Sequence, residues 1–248
     1  MAFSFEELDH QTTPLGEISL RRRAEPRLNG EILFEVKLGD EFLMSSLFTA
    51  GEIALTRLGL AGLHGDDLDV IVGGLGLGYT AMTALENPAV KTLTVLELLQ
   101  PVIDWHQRGL VPLGPQLTAD PRCQLMQADF FAVAANPDCG FDPNNPAKQV
   151  HAVLLDIDHA PDHWLNPHNS SFYTEASLRI LHSKILPGGV FGLWSNELPS
   201  DEFTARLQAV FQRVTTHIVS FPNPYTAGES ANSVYLAYTW GRHTRHTY

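Results

Sequence analysis

One stretch constrains this chain more than any other: Asp69-Val-Ile-Val-Gly-Gly-Leu-Gly-Leu-Gly-Tyr-Thr80. Val70 to Val72 is an apolar run after the polar Asp66-Asp-Leu-Asp69, and it reads as a buried strand. Glycines at 73, 74, 76 and 78 follow at once, and Tyr79 to Leu85 has helix-forming character. Strand, glycine turn and helix in immediate succession bring backbone N–H groups and a helix N-terminus close to a ligand. Alternate glycines remove the side chains that would block the approach. The next strand, Lys91-Thr-Leu-Thr-Val-Leu-Glu97, ends in an acid about twenty positions beyond the turn, a position from which a carboxylate binds ribose hydroxyls. The pattern predicts a nucleoside-binding βαβ unit. The plainer alternative is a tight packing turn followed by a capping acid.

The rest of the chain repeats that alternation. A helix is expected at 99–108, a strand at Cys123–Asp129 and a surface loop at the Pro-, Asn-, Asp- and Gly-rich 135–149. The strand His151–Asp156 follows, then a helix at 173–184 that ends at Leu186-Pro-Gly-Gly189 and leads into the strand Val190–Trp194. A helix at 201–213 precedes two closing strands, 214–221 and 233–239, joined by a loop over 222–232. This order predicts an α/β, doubly wound, mostly parallel Rossmann-like sheet with an antiparallel C-terminal strand pair at one edge. Ahead of it, residues 16–38 alternate in polarity around Pro26-Arg-Leu-Asn-Gly30 and read as a β-hairpin. Leu43 to Leu58 carries apolar residues at helical spacing, and 59–69 reads as a linker. We therefore expect a small appendage of β-hairpin and lead-in helix over 1–64 and a Rossmann-like catalytic domain over 65–248.

In open sheets of this kind ligands bind outside the carboxyl ends of the strands. The glycine turn, Glu97, Asp129, Asp156 and Asn196-Glu197 all fall there. Charge narrows the partner: 28 acidic against 16 basic residues give a net −12. Nucleic-acid affinity rests largely on Lys and Arg neutralising phosphates, so a nucleic-acid partner is excluded and a small cationic or neutral one is expected. Arg21-Arg22-Arg23 is too short a cluster to change this. No apolar run approaches the roughly twenty residues needed to span a bilayer. The segment Met1-Ala-Phe-Ser-Phe-Glu-Glu has no signal-like pattern, and Cys123 and Cys139 form no disulfide framework or zinc spacing. The expected address is cytoplasmic. Asp156, Asp158, His159 and His163 match no metal-binding spacing, so no metal is expected. His243, His246 and Tyr248 read as a solvated tail.

These residues carry a resemblance. Over about 65–240 the chain resembles the class I S-adenosylmethionine-dependent methyltransferase superfamily, and within it the spermidine-synthase-like, or polyamine aminopropyltransferase, branch. The features are Gly74-Leu-Gly76-Leu-Gly78, Glu97, Ala128-Asp129-Phe130, Asp156, and Phe172-Tyr173-Thr174-Glu175 with Leu186-Pro187-Gly188-Gly189-Val190. The preceding hairpin and Asp40-Glu41-Phe42 add to it. The resemblance implies Gly74, Gly76 and Gly78 beneath a methionine-derived tail and Glu97 on the ribose hydroxyls. It implies Asp129 accepting from the adenine amino group, with Phe130 beside the ring. The implied reaction moves an aminopropyl group from decarboxylated S-adenosylmethionine to an amine, a polyamine among the candidates. The alternative is a small-molecule methyltransferase that uses S-adenosylmethionine itself, and a third reading is a non-catalytic nucleoside-binding protein.

Three positions depart from the branch. Leu77 stands where aminopropyltransferases carry Asp, and Phe42-Leu-Met-Ser-Ser46 where they carry a Tyr-His pair. In Asp156-Ile-Asp158-His159-Ala-Pro161 the second acid of the family's catalytic loop is displaced. Either reaction is a displacement at a carbon bonded to a sulfonium, so the protein must mainly align an acceptor and remove its proton. Asp156 is the leading base, His159 the alternative, since its ordinary pKa lies near neutrality. Asp158 and Glu229 are read as amine anchors. Tyr225, in the Pro222-Asn-Pro-Tyr-Thr-Ala-Gly228 loop, is read as a further substrate contact. An exposed edge on the hairpin can pair with a second subunit, giving a homodimer.

Overall fold

A computed structural model describes residues 4–241, so the expected C-terminal tail lies outside the described residues. The chain opens with a four-stranded antiparallel sheet of β1 (Phe5–Thr13), β2 (Gly16–Glu25), β3 (Glu31–Leu38) and β4 (Glu41–Ser45), in that spatial order. The expected hairpin is the central pair, and its Pro26–Leu28 turn ends on Asn29 in the left-handed region (φ 54°). Alternation explains the pair: Ile18, Leu20, Val36 and Leu38 face inward and are buried. The arginine cluster is consumed inside this sheet. Glu35, 2% exposed, takes Nε of Arg21 at 2.6 Å and Nε of Arg23 at 2.7 Å. Arg22 pairs across to Glu6 on β1.

One expectation fails here. Residues 43–49 are not helical: Glu41–Ser45 is the edge strand β4, turned back at Gly39-Asp40, with Leu38 opposite Glu41 and Lys37 opposite Phe42. Three consecutive apolar residues, Phe42-Leu-Met44, suit a half-buried edge as well as a helix face, and periodicity over so short a run does not choose between them. The lead-in helix α1 is confined to Ala50–Ala61.

The second sheet has seven strands. It is built from β5 (Leu68–Gly73), α2 (Tyr79–Leu85), β6 (Val90–Glu97), α3 (Gln100–Gln107), α4 (Gly114–Ala119), β7 (Cys123–Gln127), α5 (Phe130–Ala135), β8 (Val150–Leu155), α6 (Glu175–Ser183), β9 (Ile185–Ser195), α7 (Asp201–Gln208), β10 (Arg213–Asn223) and β11 (Gly228–Tyr238). The spatial order is β10-β11-β9-β8-β5-β6-β7. The pairings β5–β6, β6–β7, β5–β8 and β8–β9 are parallel, whereas β11 runs antiparallel to both β9 and β10. The closing pair is therefore as expected, but its loop is not. Register holds from Arg213–Tyr238 out to Asn223–Gly228, so most of 222–232 is strand and the turn is four residues. Helix α7 stops at Gln208, short of the expected 213, and β9 already includes Leu186-Pro-Gly-Gly189. The β8–β9 ladder slips between Val150 and Ala152 to admit that segment.

Val70, Val72, Val153 and Leu154 are fully buried because helices cover both faces of the sheet, as in other parallel sheets. On one face Val70, Val72, Leu93, Val95 and Leu154 form one core with Ile18, Leu20, Val36 and Leu38 of the first sheet. On the other face Ile71, Leu96, Val153 and Leu155 pack with Phe172, Leu178 and Phe203. Among the described residues, no helix is long and apolar enough to cross a membrane.

Candidate active site

A cavity of about 620 Å³ opens at the carboxyl ends of β5, β6 and β8, between the two sheets. Its lining includes Gly74, Gly76, Glu97, Asp129, Phe130, Asp156 and His159, so most of the sequence-derived site residues meet in one place. Gly74, at φ 94°, shows why the turn needs glycine: a Cβ there would sit well inside the Asp156 carbonyl oxygen. The Asp156 N–H donates to the Gly73 carbonyl at 2.8 Å, which holds the glycine turn against the end of β8.

Glu97 fixes the same turn from the other side. Its oxygens accept from the backbone N–H groups of Leu75 (3.0 Å) and Leu99 (2.8 Å). Burial pushes its carboxyl up, and those backbone N–H groups pull it back down. Each carboxylate oxygen retains acceptor capacity beyond the one bond it makes. Asp129 caps α5, its Oδ1 accepting from Phe131 (2.9 Å) and Ala132 (3.2 Å). Phe130 is 1% exposed, packed on Gly73 and against Phe131, Phe141 and Phe172. Phe131, which the sequence did not single out, is the partly exposed ring beside it on the cavity wall. Leu77 faces the core, 2% exposed, and Gly78, expected beneath the tail, packs instead against Leu117 and His106; neither lines the cavity.

Asp156 lies beside the glycine turn, with Thr80 Oγ1 donating to its Oδ2 at 2.7 Å. Thr80 is held in turn by Thr56, whose hydroxyl donates to the Thr80 carbonyl at 3.0 Å. Burial raises the Asp156 carboxyl to about 6, and the Thr80 hydroxyl opposes the rise. The second acid at this end of the cavity is Glu52, in the first turn of α1 and 8% exposed. Burial and then the charge of Asp156 push Glu52 well above the ordinary carboxylate range. Among the described residues its Oε2 has no hydrogen-bond partner. Two carboxyl groups of like charge on a wall that, among the described residues, no Lys or Arg lines favour a cation there. Trp194, Asn196 and Asn232 complete this wall, with Asn232 Nδ2 donating to Asn196 Oδ1 at 3.1 Å.

Three of the expected substrate contacts fall elsewhere. Asp158 is 2% exposed and fully engaged: Leu165 N–H (2.8 Å), Asn169 Nδ2 (2.9 Å) and Tyr173 Oη (2.8 Å) all donate to it. It braces the loop after β8 and does not line the cavity. Glu229 faces away from the cavity, because Ser230 and Asn232 of the same strand face in and successive strand residues alternate. Tyr225 does not line the cavity either. Its hydroxyl accepts from Arg23 and donates to Glu25, each at 2.8 Å, while Arg27 stacks over its ring. It ties the tip of the β10–β11 hairpin to the first sheet. His159 does line the cavity, but its Nε2 lies 2.7 Å from Glu41 Oε1.

Glu97→Ala is expected to weaken nucleoside binding by roughly 1.5–3 kcal/mol, the range for hydrogen bonds to a charged group. Titration calorimetry on the folded variant checks this, and unchanged affinity would leave Glu97 as a brace for the turn only.

No family model matches the sequence. Over 166 residues the chain is 24% identical to polyamine aminopropyltransferase 2 of Pseudomonas aeruginosa, a match that takes in 64% of this chain and 44% of that protein. The chain thus matches less than half the length of that relative. Among solved structures, spermidine synthase from Thermotoga maritima aligns with a TM-score of 0.70 at 16% identity, over 94% of this chain and 72% of that one. A spermidine synthase in complex with the transition state analogue AdoDATO gives 0.69 at 16% identity, over 94% and 73%. By backbone the chain has the fold of those two structures, and by sequence it is similar to that aminopropyltransferase.

Proposed function

We propose that the protein transfers an aminopropyl group from decarboxylated S-adenosylmethionine to a small amine. The observation that carries this reading is the charge of the cavity wall: Glu52, Glu97, Asp129 and Asp156 line it, and among the described residues no Lys or Arg does. A ligand that keeps its carboxylate would meet that wall without a cationic side chain, whereas a sulfonium with an ammonium tail suits it. The AdoDATO complex and the polyamine aminopropyltransferase among the relatives support the same chemistry.

In this reading the glycine turn passes under the tail, Glu97 takes the ribose hydroxyls, Asp129 accepts from the adenine amino group, and Phe130 backs the ring. Asp156 and Glu52 draw in the cations. The acceptor nitrogen gives its proton to Asp156, and its lone pair then attacks the carbon bonded to sulfur. The C–N bond forms as the C–S bond breaks, leaving a neutral thioether. A carboxylate with a pKa of about 6 is a stronger base than an ordinary one yet is mostly ionised at neutral pH. His159 serves less well as the base because its ring is already paired with Glu41. A second subunit would pair along β1, the edge of the first sheet opposite the cavity-lining β4.

The test is to titrate the protein with both nucleosides and to incubate each with amines, analysing products by mass. Tighter binding of the decarboxylated form with aminopropylated products is the expected result. Tighter binding of the carboxylated form, with methylated products only, would give the site to methyl transfer.

A further inference from the structure

Outside the carboxylate pair, a second set of chemistry-bearing side chains meets at the cavity mouth. Glu41 comes from β4, while His159 and His163 come from the loop after β8, and one ligand atom from each lies within 4.8 Å of the other two. Glu41 Oε1 and His159 Nε2 are already 2.7 Å apart, and the two imidazole centroids are separated by 4.9 Å. We propose that Glu41, His159 and His163 bind one divalent late first-row metal ion, zinc above all, as a regulatory clip across the mouth of the cavity.

The donor set suits such an ion. Two imidazoles and one carboxylate fill three positions of a tetrahedron and leave the fourth open, and imidazole nitrogen favours zinc, cobalt or nickel over magnesium or calcium. Ligands about 2.0–2.1 Å from a tetrahedral ion stand about 3.3 Å from one another. A spread within 4.8 Å therefore needs only a small inward movement of the exposed His163 side chain. The loop is built to hold the pair. Ala160 and His163 exchange two backbone hydrogen bonds, at 3.2 and 3.0 Å, closing a tight turn that brings residues 159 and 163 to one side. Trp164 Nε1 caps that turn on the Pro161 carbonyl at 2.8 Å, and the Asn196 N–H holds the His159 carbonyl at 2.7 Å. No Lys or Arg is paired with any of the three ligands among the described residues, and the net charge of −12 favours cation capture.

The consequence follows from where the ligands sit. Glu41 belongs to the first sheet, His159 lines the cavity, and the loop that carries both histidines begins at Asp156. A bound ion would fasten the first sheet to that loop and narrow the way in.

Cobalt(II) is the probe, with zinc(II) as competitor, on the whole 248-residue chain. The expected result is the intense visible absorption of four-coordinate cobalt, saturating at one equivalent and displaced by zinc, with a rise in melting temperature. His163→Ala and Glu41→Gln, both at exposed positions, should melt like the parent without metal and weaken cobalt binding at least about tenfold. The chain has eleven histidines, so these variants identify the site. Zinc should slow turnover in the parent and leave His163→Ala unaffected. Weak octahedral absorption, or binding that neither substitution changes, would overturn the proposal.

Discussion

Asp156→Asn is expected to lower turnover by about 10²–10⁴-fold, the range general-base catalysis supplies, while nucleoside affinity stays nearly unchanged. The argument rests on position. Asp156 lines the cavity beside the glycine turn, its backbone N–H already committed to Gly73 and its Oδ2 to Thr80. The amide keeps the shape and can still accept from the Thr80 hydroxyl through its own oxygen, so the turn keeps its geometry. It cannot take a proton from an incoming ammonium. Single-turnover product formation, with calorimetry for the nucleoside, separates the two effects. Turnover that survives in a variant with normal nucleoside binding would move the role of base to His159.

Glu52→Gln should act on the acceptor and on stability. Burial raises Asp156 to about 6, whereas Glu52 is raised by burial first and by the charge of Asp156 second, so the acid limb of the rate profile set by Asp156 should stay in place. The acceptor KM is expected to rise at least about tenfold, the lower end for losing a charged partner. The stability effect has the opposite sign. A carboxyl raised on folding binds more protons in the native than in the unfolded state between its two pKa values. Native stability from Asp156 is therefore present below the unfolded value, near 4, and lost as pH rises through about 6. Glu52, raised on folding as well, loses stability in the same way, and glutamine removes its share, so the ligand-free variant should melt higher than the parent at neutral pH and match it more closely near pH 5. A variant that melts lower throughout would mean that Glu52 is held by contacts its charge does not disturb.

The parts of this site legible in the sequence are those whose geometry is local. A strand, four glycines and a helix in succession place the turn at a strand end, and the acid that ends the next parallel strand lies beside it. Glu52 carried no such signal. In the sequence it is an acid in an amphipathic stretch, and it becomes a site residue only because the loop after β8 places Asp156 against it. The anchors failed for a related reason. Reading 222–232 as loop lost the strand parity that turns Glu229 outward and Ser230 and Asn232 inward. Asp158 lies two residues from Asp156, but the turn after β8 aims it at Tyr173, where three donors hold it away from the cavity. Strand β1 was missed because Phe5 to Thr13 is mostly polar, and it is held by pairing with β2 more than by burial.

The Tyr225 clasp sets the order in which this protein can be completed. Its hydroxyl meets Glu25 across 200 residues of sequence, and the hairpin that carries it supplies Phe221, Asn223, Ser230 and Asn232 to the cavity wall. Contacts this distant along the chain form late, because the loop they close must be ordered first. During synthesis the glycine cradle, Glu97 and Asp156 can therefore be in place while one wall of the cavity is still missing. The chamber closes only when β10 and β11 have left the ribosome and the tip of their hairpin has reached the first sheet.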